Sequence, residues 1–457
     1  MRVDRRSFLG ALAGSVVFPW RQVATGSAGW RARVATIDIT PRRPLWMAGF
    51  AARTSASQGV ERPLHAKALA LEDARGRRVV LVTLDLLGLT TGVGARIAGE
   101  AGRRYGLARE QLLLNASHTH CGPVIDEMLA VAYDLSDAQW RDVRTYTRVL
   151  EDKVIRVIGA AMKRGEPVEL RAAEGRATFA ANRRVQFTPL GPVDHRVPVL
   201  RVEGRRGPLA LVFGYACHNT TLRADFVRFH GDYAGVAQAD LERRHPGATA
   251  LFVAGCGGDA NPDPRGTLDD VNRYGAALAD AVDEAGAGDA IEGPLRAAYR
   301  TADLPFAPPP DRAGWLARLE DADQYVRRHA RLILGRLDRD GHLQAVQPDP
   351  VQVWRFGSGL TLVAMGGEVV VDYALRLRRD YPGQRLWAAG YSNDVFGYVP
   401  SLRVLEEGGY EGGGAMIYYG KPGPFDASVE ERIHATVRAL MDETAGSNGR
   451  SAACRIL

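Results

Sequence analysis

The chain has 457 residues, of which 46% are apolar and 25% are charged. This ordinary globular composition excludes a mostly disordered, collagen-like or coiled-coil protein. The 59 basic and 53 acidic residues leave a net charge of +6 that is scattered along the chain, so a nucleic-acid partner is not indicated. Four cysteines are too few for a disulfide scaffold.

The N-terminus predicts an export signal. Arg5 and Arg6 stand directly before Ser7, and a short, largely apolar run follows from Phe8 to Phe18. This run is too short to span a bilayer, which takes about 20 residues. Paired arginines before such a run match a twin-arginine signal, so we expect residues 1–28 to be a signal peptide and the mature protein to be periplasmic or secreted. A positively charged N-terminal helix is the alternative. No other segment predicts a transmembrane helix, which leaves peripheral membrane contact at most.

Short apolar runs that alternate with helical patterns predict an α/β fold, with α+β as the alternative. We expect a central mixed sheet with long Gly-rich loops. Predicted strands cover 79–84, 112–114, 197–202, 209–213, 248–253, 351–356, 360–365 and 386–389, and predicted helices cover 138–164, 232–244 and 369–379. Residues 316–337 predict a helical insertion whose many Arg and Asp side chains indicate a solvated face. We predict one catalytic-type domain over residues 29–445 and a flexible tail over residues 446–457.

The segment from Ser117 to Pro123 carries the strongest chemical signal, because two of its histidines stand two positions apart at the end of a predicted strand. Side chains at i and i+2 of an extended backbone point to the same side. His118 and His120 therefore bring two imidazoles together, as metal binding and acid–base chemistry both require. A polar strand end with solvated histidines is the alternative interpretation.

Two further strand ends carry polar side chains beside glycines. His218 follows the predicted strand 209–213, while Asp259 and Asn261 follow the predicted strand 248–253 in a Gly-rich turn. Glycines let the backbone approach a ligand closely. A hydrogen-bonded core histidine and a simple β-turn are the alternatives.

Three more candidates lie between later elements. Glu368 stands between the predicted strand 360–365 and the predicted helix 369–379, where it can stabilise the helix N-terminus or act as an anionic ligand. Tyr398 and Tyr410 lie in Gly-rich loops, where tyrosines serve as packing anchors, substrate contacts or phenolate ligands.

In this order the motifs resemble those of the neutral, non-lysosomal ceramidases. The motifs are Ser-His-Thr-His-x-Gly-Pro, Asn-Arg at 182–183, a strand-end His, Gly-Asp-x-x-Pro at 258–262, Gly-Glu before a helix, and Asn-x-x-x-Gly-Tyr-Val followed by Tyr-Glu-Gly. The resemblance extends from about residue 38 to about residue 425. Several motifs in one order are far more specific than any single motif.

The resemblance implies a zinc-dependent amidohydrolase with one zinc ion per chain, acting on a lipid or other small-molecule amide. It implies four metal ligands, which are His118, His218, Glu368 and Tyr398. It also implies that His120 contacts the substrate carbonyl or oxyanion, and that Arg183 and Tyr410 fix and polarise the amide. Two imidazoles plus a carboxylate form a recurrent catalytic zinc shell, and zinc lowers the pKa of bound water to about 7. Asp259 is expected to orient a ligand histidine.

Two features depart from the family. Asn261 occupies the position of a Ser in the family's Gly-Asp-Val-Ser-Pro turn. An amide cannot replace a hydroxyl nucleophile, but Asn261 can donate a hydrogen bond if water attacks directly. The family's C-terminal immunoglobulin-like module is expected to be absent, because only about thirty residues follow Asp426.

The sequence leaves three functions open. They are hydrolysis of ceramide or a related N-acyl lipid, hydrolysis of another amide or ester, and binding by a non-catalytic protein that retains the pocket. The sequence also leaves open the oligomeric state and whether Cys217 and Cys256 form a disulfide.

Overall fold

The computed structural model describes residues 29–445. The predicted signal peptide, residues 1–28, and the predicted tail, residues 446–457, both lie outside the described residues. The described chain has the mixed α/β architecture that the sequence predicts.

Seventeen strands are present in residues 29–445: β1 (Trp30–Asp38), β2 (His65–Asp73), β3 (Arg78–Leu84), β4 (Leu112–Ala116), β5 (Glu166–Arg176), β6 (Ala180–Asn182), β7 (Arg196–Gly204), β8 (Gly207–Tyr215), β9 (Thr249–Ala254), β10 (Ala260–Pro262), β11 (Asp289–Ala290), β12 (Leu295–Pro305), β13 (Val346–Phe356), β14 (Leu360–Met365), β15 (Glu368–Val369), β16 (Leu386–Ala389) and β17 (Tyr398–Val399).

Ten α-helices connect them in the same range: α1 (Thr91–Tyr105), α2 (Asp137–Ala161), α3 (Asp232–Arg244), α4 (Leu268–Glu284), α5 (Arg312–Ala317), α6 (Gln324–Asp340), α7 (Val371–Asp380), α8 (Leu402–Glu407), α9 (Gly409–Gly412) and α10 (Val429–Ala445). Short 3-10 helices cover Arg109–Gln111, Ala130–Ala132, Arg318–Glu320 and Gly414–Ile417. Helix α2 begins at a capping box, in which the Ser136 hydroxyl accepts from the Gln139 amide and the Gln139 side chain accepts from the Ser136 amide.

Thirteen of these strands form two large mixed sheets, and the other four form two small sheets, β6 with β10 and β15 with β17. The first large sheet has nine strands in the order β4-β3-β2-β1-β5-β7-β8-β9, with β11 pairing beside β5. The second has four strands in the order β12-β13-β14-β16. The predicted central mixed sheet is therefore present, and a second large sheet packs against it. Parallel pairs stand at the edges of both large sheets. They are β3 with β4 and β8 with β9 in the first sheet, and β14 with β16 in the second.

The two sheets share one apolar core, because their strands alternate inward and outward side chains. On β3, Val79 and Leu81 join the core between the sheets, whereas Val80 and Val82 face the helices α1 to α4. On β14, Leu362 joins the same inner core, while its neighbours pack on the other side toward α7 and α10.

The predicted helical insertion at 316–337 is broken, while its predicted solvated face is present, with Arg331 exposed. Helix α5 ends at Ala317, a 3-10 turn follows, and α6 begins only at Gln324 because the Asp323 side chain accepts from the Tyr325 amide and caps a new helix. The residues that face inward form a small apolar core around the fully buried Trp315. The insertion therefore packs around its own small apolar core and presents one charged face to solvent.

None of the helices within residues 29–445 is long and apolar enough to cross a membrane.

Candidate metal centre and active site

The candidate site lies where the parallel edge strands end. His118 follows β4, His218 follows β8, and Glu368 and Tyr398 begin β15 and β17. Two short pairings hold these loops together: Thr119 bridges in parallel to Asn219, and Glu368 stands opposite Tyr398 in the parallel pair β15–β17. Carboxyl ends of parallel strands are the usual location of sites in α/β proteins.

The four predicted metal ligands meet. Nε2 of His118 lies 3.0 Å from Oε2 of Glu368, and Nε2 of His218 lies 2.9 Å from the same oxygen. The Tyr398 hydroxyl lies 3.1 Å from Nε2 of His218. All four side chains are buried. Residues up to 280 positions apart in the chain therefore surround one point.

Backbone carbonyls fix both histidine tautomers. Nδ1 of His118 lies 2.6 Å from the Leu87 carbonyl, and Nδ1 of His218 lies 2.8 Å from the Gly257 carbonyl. Each Nδ1–H must donate to its carbonyl, which leaves each Nε2 as a lone-pair atom directed at Glu368. His118 adopts this position with a φ of 61°, an uncommon backbone conformation for a non-glycine residue.

The donor set suits a cation. Oε2 of Glu368 is buried and no hydrogen-bond donor reaches it among the described residues, yet two imidazole lone pairs face it. Such an arrangement of acceptors is repulsive unless a positive charge stands between them. The imidazole nitrogens of His118, His120 and His218 also lie within 4.8 Å of one another, so this cluster can hold a metal ion.

The charge states of these groups suit metal binding at neutral pH. Burial, and then the charge of Arg183, lowers the pKa of His218 to about 4. Burial alone would raise the pKa of Glu368, but positive charge on the side of His118 and His218 holds it well below its ordinary value. His218 is therefore neutral and Glu368 anionic, the forms that bind metals.

His120 lies directly beside the proposed metal ligand His118. Its Nε2 lies 3.1 Å from Nε2 of His118, and its ring packs against Phe50 at 4.8 Å between centroids. Its Nδ1 has no partner among the described residues, and burial keeps its pKa well below the ordinary value. His120 is thus a neutral imidazole available either to a metal ion or to a substrate.

Arg183 is held against Tyr398. Its Nη2 donates to the Tyr398 hydroxyl at 2.8 Å, and its Nε donates to Glu411 at 2.6 Å. Nη1 lies 3.5 Å from Oδ1 of Asn261, which also accepts from Thr220 at 3.1 Å. Arg183 therefore positions a candidate ligand as well as lining the site.

Tyr410 stands at the edge of the site. It is 46% exposed, its ring packs at 5.3 Å from that of Tyr398, and the Arg183 guanidinium lies 5.8 Å from the Tyr410 ring centroid. Its hydroxyl makes no hydrogen bond within the part of the chain that the structure describes, which leaves it available to a bound molecule.

Asp259 does not orient a ligand histidine, and that expectation is wrong. Its Oδ1 accepts from the Val371 amide at 2.9 Å, and its Oδ2 accepts from Asn182 at 2.9 Å. The ring N–H groups of the histidines already donate to backbone carbonyls. Asp259 instead fixes the start of α7, directly after Glu368, to the strand β6 that leads to Arg183.

The sequence did not single out Tyr419 and Asn115, which shape the site together with Tyr391 of the Gly-rich loop. The Tyr419 hydroxyl donates to Oε1 of Glu368, and the Tyr391 ring packs at 4.4 Å from that of His118. Buried Asn115 accepts from the Ala254 amide at 2.9 Å and donates to the Gly390 carbonyl at 2.8 Å. Asn115 stands two residues before Ser117 of the Ser-His-Thr-His segment, which is the local sequence signal that could have indicated it.

The cysteines near the site are not paired. Cys121, Cys217 and Cys256 are buried free thiols, so Cys217 and Cys256 form no disulfide in the structure.

Comparison with known families agrees with the motif pattern. A family model described as neutral/alkaline non-lysosomal ceramidase, N-terminal, matches residues 31–269. This match covers more than half of the chain, and the chain belongs to this family.

Solved structures show the same fold. Neutral ceramidase from Pseudomonas aeruginosa is 18% identical, with a TM-score of 0.70 over 90% of this chain and 75% of that one. A ceramidase complexed with C2 is 19% identical, with a TM-score of 0.68 over 90% of this chain and 76% of that one. No curated protein sequence matches the chain. Family and fold are those of a hydrolase that acts on amides.

Proposed function

We propose that the protein is a zinc-dependent amidohydrolase that cleaves an N-acyl lipid such as ceramide. The observation that carries this proposal is the convergence of two imidazole lone pairs and a carboxylate oxygen within 2.9–3.0 Å. Neutral imidazoles and a carboxylate are the donor set of catalytic zinc sites. Family membership supports an amide as the substrate class.

Four residues would hold the ion: His118, His218, Glu368 and Tyr398. The zinc ion would supply a Lewis acid that lowers the pKa of a water molecule to about 7. In the reaction, water adds to the amide carbonyl carbon, the C–N bond breaks, and the nitrogen leaves with a proton as the free amine. The products are a carboxylic acid and an amine.

The chain's own residues supply the remaining tasks. His120 is neutral because burial lowers its pKa, so it can accept a proton or donate a hydrogen bond to the developing oxyanion. Arg183 holds the Tyr398 hydroxyl and keeps positive charge beside the site. The free hydroxyl of Tyr410 can donate to the substrate carbonyl.

Exposed apolar side chains beside the site support a lipid substrate. Val185, Phe187 and Leu190 are exposed, and Leu190 is 99% accessible. Phe187 packs near Gly409, next to Tyr410, so this segment adjoins the edge of the site. Exposed apolar groups at a site edge fit an acyl chain or a lipid surface.

The proposal is tested by product release and by metal content. We expect purified protein to contain about one zinc per chain and to release fatty acid from labelled ceramide or a related N-acyl lipid. Glu368→Gln removes a proposed ligand and should lower kcat/KM at least about 100-fold. Glu406→Gln, on the exposed face of α8, is the matched control and should leave activity unchanged.

Three results would reject parts of the proposal. Zinc content unchanged in His118→Ala plus His218→Ala would reject the site. Hydrolysis of other amides or esters but not of N-acyl lipids would reject the substrate class. Full zinc loading with no hydrolysis in a broad amide and ester screen would favour a binding protein, in line with Asn261 at the family's Ser position.

A further inference from the structure

Two arginines beside the site have no carboxylate partner. Arg223 and Arg265 form no ion pair among residues 29–445, whereas Arg228, on the same surface segment, pairs with Glu61 at 3.0 Å. Two carboxylates are close in sequence, Asp225 and Asp263, but neither comes within 4.0 Å of these guanidinium groups. Neither guanidinium therefore has a carboxylate of the described residues in direct contact, although the buried Asp232 acts on Arg265 from a distance.

Short contacts connect these arginines to the proposed catalytic groups. Nη1 of Arg265 donates to the Thr220 carbonyl at 3.2 Å, and the Thr220 hydroxyl donates to Oδ1 of Asn261 at 3.1 Å. The same oxygen lies 3.5 Å from Nη1 of Arg183. Two residues, Thr220 and Asn261, thus connect Arg265 to Arg183, the group that holds Tyr398.

Arg223 lies beside Arg265, on the side away from Asn261. A Cβ added to Gly266 would lie 3.6 Å from Nε of Arg223, so the Arg223 side chain crosses the residue that follows Arg265. Arg223 is exposed and Arg265 is half-buried. Burial, and then the charges of Arg223 and Arg183, lowers the pKa of Arg265, which reflects three positive charges close together.

Like charges placed together are unfavourable unless an anion binds between them. Each guanidinium group presents a fork of N–H donors that suits a carboxylate or a phosphate. The exposed apolar segment 185–190 adjoins Tyr410, and the arginines adjoin Asn261, so apolar and cationic groups both flank the site.

We propose that Arg223 and Arg265 bind an oxyanion on the amine side of the substrate, so that the preferred substrate is an N-acyl amide with an anionic head group. This inference rests on the proposed function. The acyl chain contacts the apolar segment, and the head group carries the negative charge to the two arginines. The shared chemistry is an oxyanion, either the carboxylate of an N-acyl amino acid or the phosphate of an N-acyl phosphoethanolamine.

Three amides with one acyl chain test the proposal. They are N-dodecanoyl ethanolamine, which is neutral, N-dodecanoyl glycine, which carries a carboxylate, and N-dodecanoyl phosphoethanolamine, which carries a phosphate. The measured quantity is the ratio of kcat/KM for each anionic amide to kcat/KM for the neutral amide, from dodecanoate release. We expect a ratio of at least about 10 for one anionic amide, since each charge-assisted contact contributes roughly a tenfold factor. The amide with the larger ratio identifies the source of the oxyanion.

Variants assign the preference to these residues. Arg223→Gln plus Arg265→Gln should lower the ratio at least about 10-fold, to near 1, through KM and not kcat. Arg223→Lys plus Arg265→Lys keeps the charge and should restore part of the ratio. Arg228→Gln, on the same surface segment but paired with Glu61, is the matched control and should leave the ratio unchanged.

The outcomes separate this inference from the proposed function. Hydrolysis with a ratio near 1, or a ratio that the double Gln variant does not change, overturns the inference and leaves the amidohydrolase standing. If none of the amides is hydrolysed, the proposed function fails, and calorimetric binding of N-dodecanoyl glycine to the wild type and to the double Gln variant decides the inference. Equal affinity of the two proteins would overturn it.

Discussion

Gly49 sets the position of His120. Gly49 has a φ of +98°, and a Cβ at this position would lie 2.3 Å from Nδ1 of His120. The absence of a side chain therefore allows the imidazole to stand beside His118. The lack of one methyl group at Gly49 therefore decides whether the His120 imidazole can occupy its position in the site.

Gly49→Ala should displace His120 and lower kcat for amide hydrolysis about 100-fold, the usual effect of removing one oxyanion contact. Zinc content should change little. Gly76→Ala is the matched control, since Gly76 also has a positive φ, of +77°, but nothing lies within 4 Å of its added Cβ. Equal activity in the two variants would contradict the role of His120.

Asn115 joins three elements through one side chain. It binds the Ala254 amide of β9, the Gly390 carbonyl and the Ser392 hydroxyl, and it is itself the fourth residue of β4. The outer strands of the nine-stranded sheet and the loop before Tyr398 are thereby fixed to one another. This contact brings the His118 loop and the Tyr398 loop to the same side of the molecule.

We expect Asn115→Leu to lower the free energy of unfolding by about 3 kcal/mol or more, because it leaves at least two buried backbone groups without partners. Activity should fall together with zinc affinity, since the loops that carry the ligands separate. Chemical denaturation and zinc titration measure both effects. Full stability in this variant would show that the three elements are held by other contacts.

Helices also carry buried groups that respond to acid. On α10, His434 stacks on Tyr373 of α7 at 5.3 Å, and its Nε2 is buried without a hydrogen bond among the described residues. Burial, and then the charge of Arg376, lowers the pKa of His434 to about 4, against the carboxylate charges of Glu430, Asp380 and Glu431. The interface between these helices therefore favours the neutral imidazole.

The consequence is a loss of stability below pH 6.5. The unfolded chain binds a proton at His434 near its ordinary pKa, but the folded chain binds it only near pH 4, so the free energy of unfolding falls as pH decreases through this window. His434→Phe keeps the stacking and removes the titration. Between pH 7.5 and pH 5 the variant should lose about 2 kcal/mol less than the wild type, measured by urea denaturation. An identical pH dependence would contradict this assignment.

On the scale of the whole molecule, the proposed metal site connects both sheets. His118 and His218 follow strands of the nine-stranded sheet, whereas Glu368 follows β14 of the four-stranded sheet. A bound ion therefore links the two sheets, and its binding free energy adds to the stability of the folded chain.

Removal of the metal should destabilise the whole protein. A ligand present at about 1,000 times its Kd contributes about 4 kcal/mol, which corresponds to roughly 5 °C in Tm for a chain of this length. A chelator should therefore lower Tm in the wild type and have no effect on His118→Ala plus His218→Ala. An equal effect of the chelator on both proteins would place the metal elsewhere.

Local sequence patterns located eight of the seventeen strands and the helices α2, α3 and α7 of residues 29–445, and they identified the chemistry of the candidates. The apolar run at 79–84 predicted β3, and the polar residues after 112–114, 209–213 and 360–365 were correctly located at strand ends. Local sequence patterns were less informative where contacts between distant segments decide where a helix ends or which partner a side chain has. The break at Asp323, the partners of Asp259, and the Tyr419 bond to Glu368 all depend on neighbours that are far away in the chain.

The sequence by itself determined which residue types were available and in what order, because strand periodicity and motif spacing are properties of neighbouring residues. The tertiary structure alone decided which atoms face one another. Two backbone carbonyls, those of Leu87 and Gly257, direct the imidazole lone pairs toward Glu368, and carbonyls are the same in every residue. No side-chain pattern encodes which of them a histidine reaches, since that follows only from how the strands pair and the sheets pack.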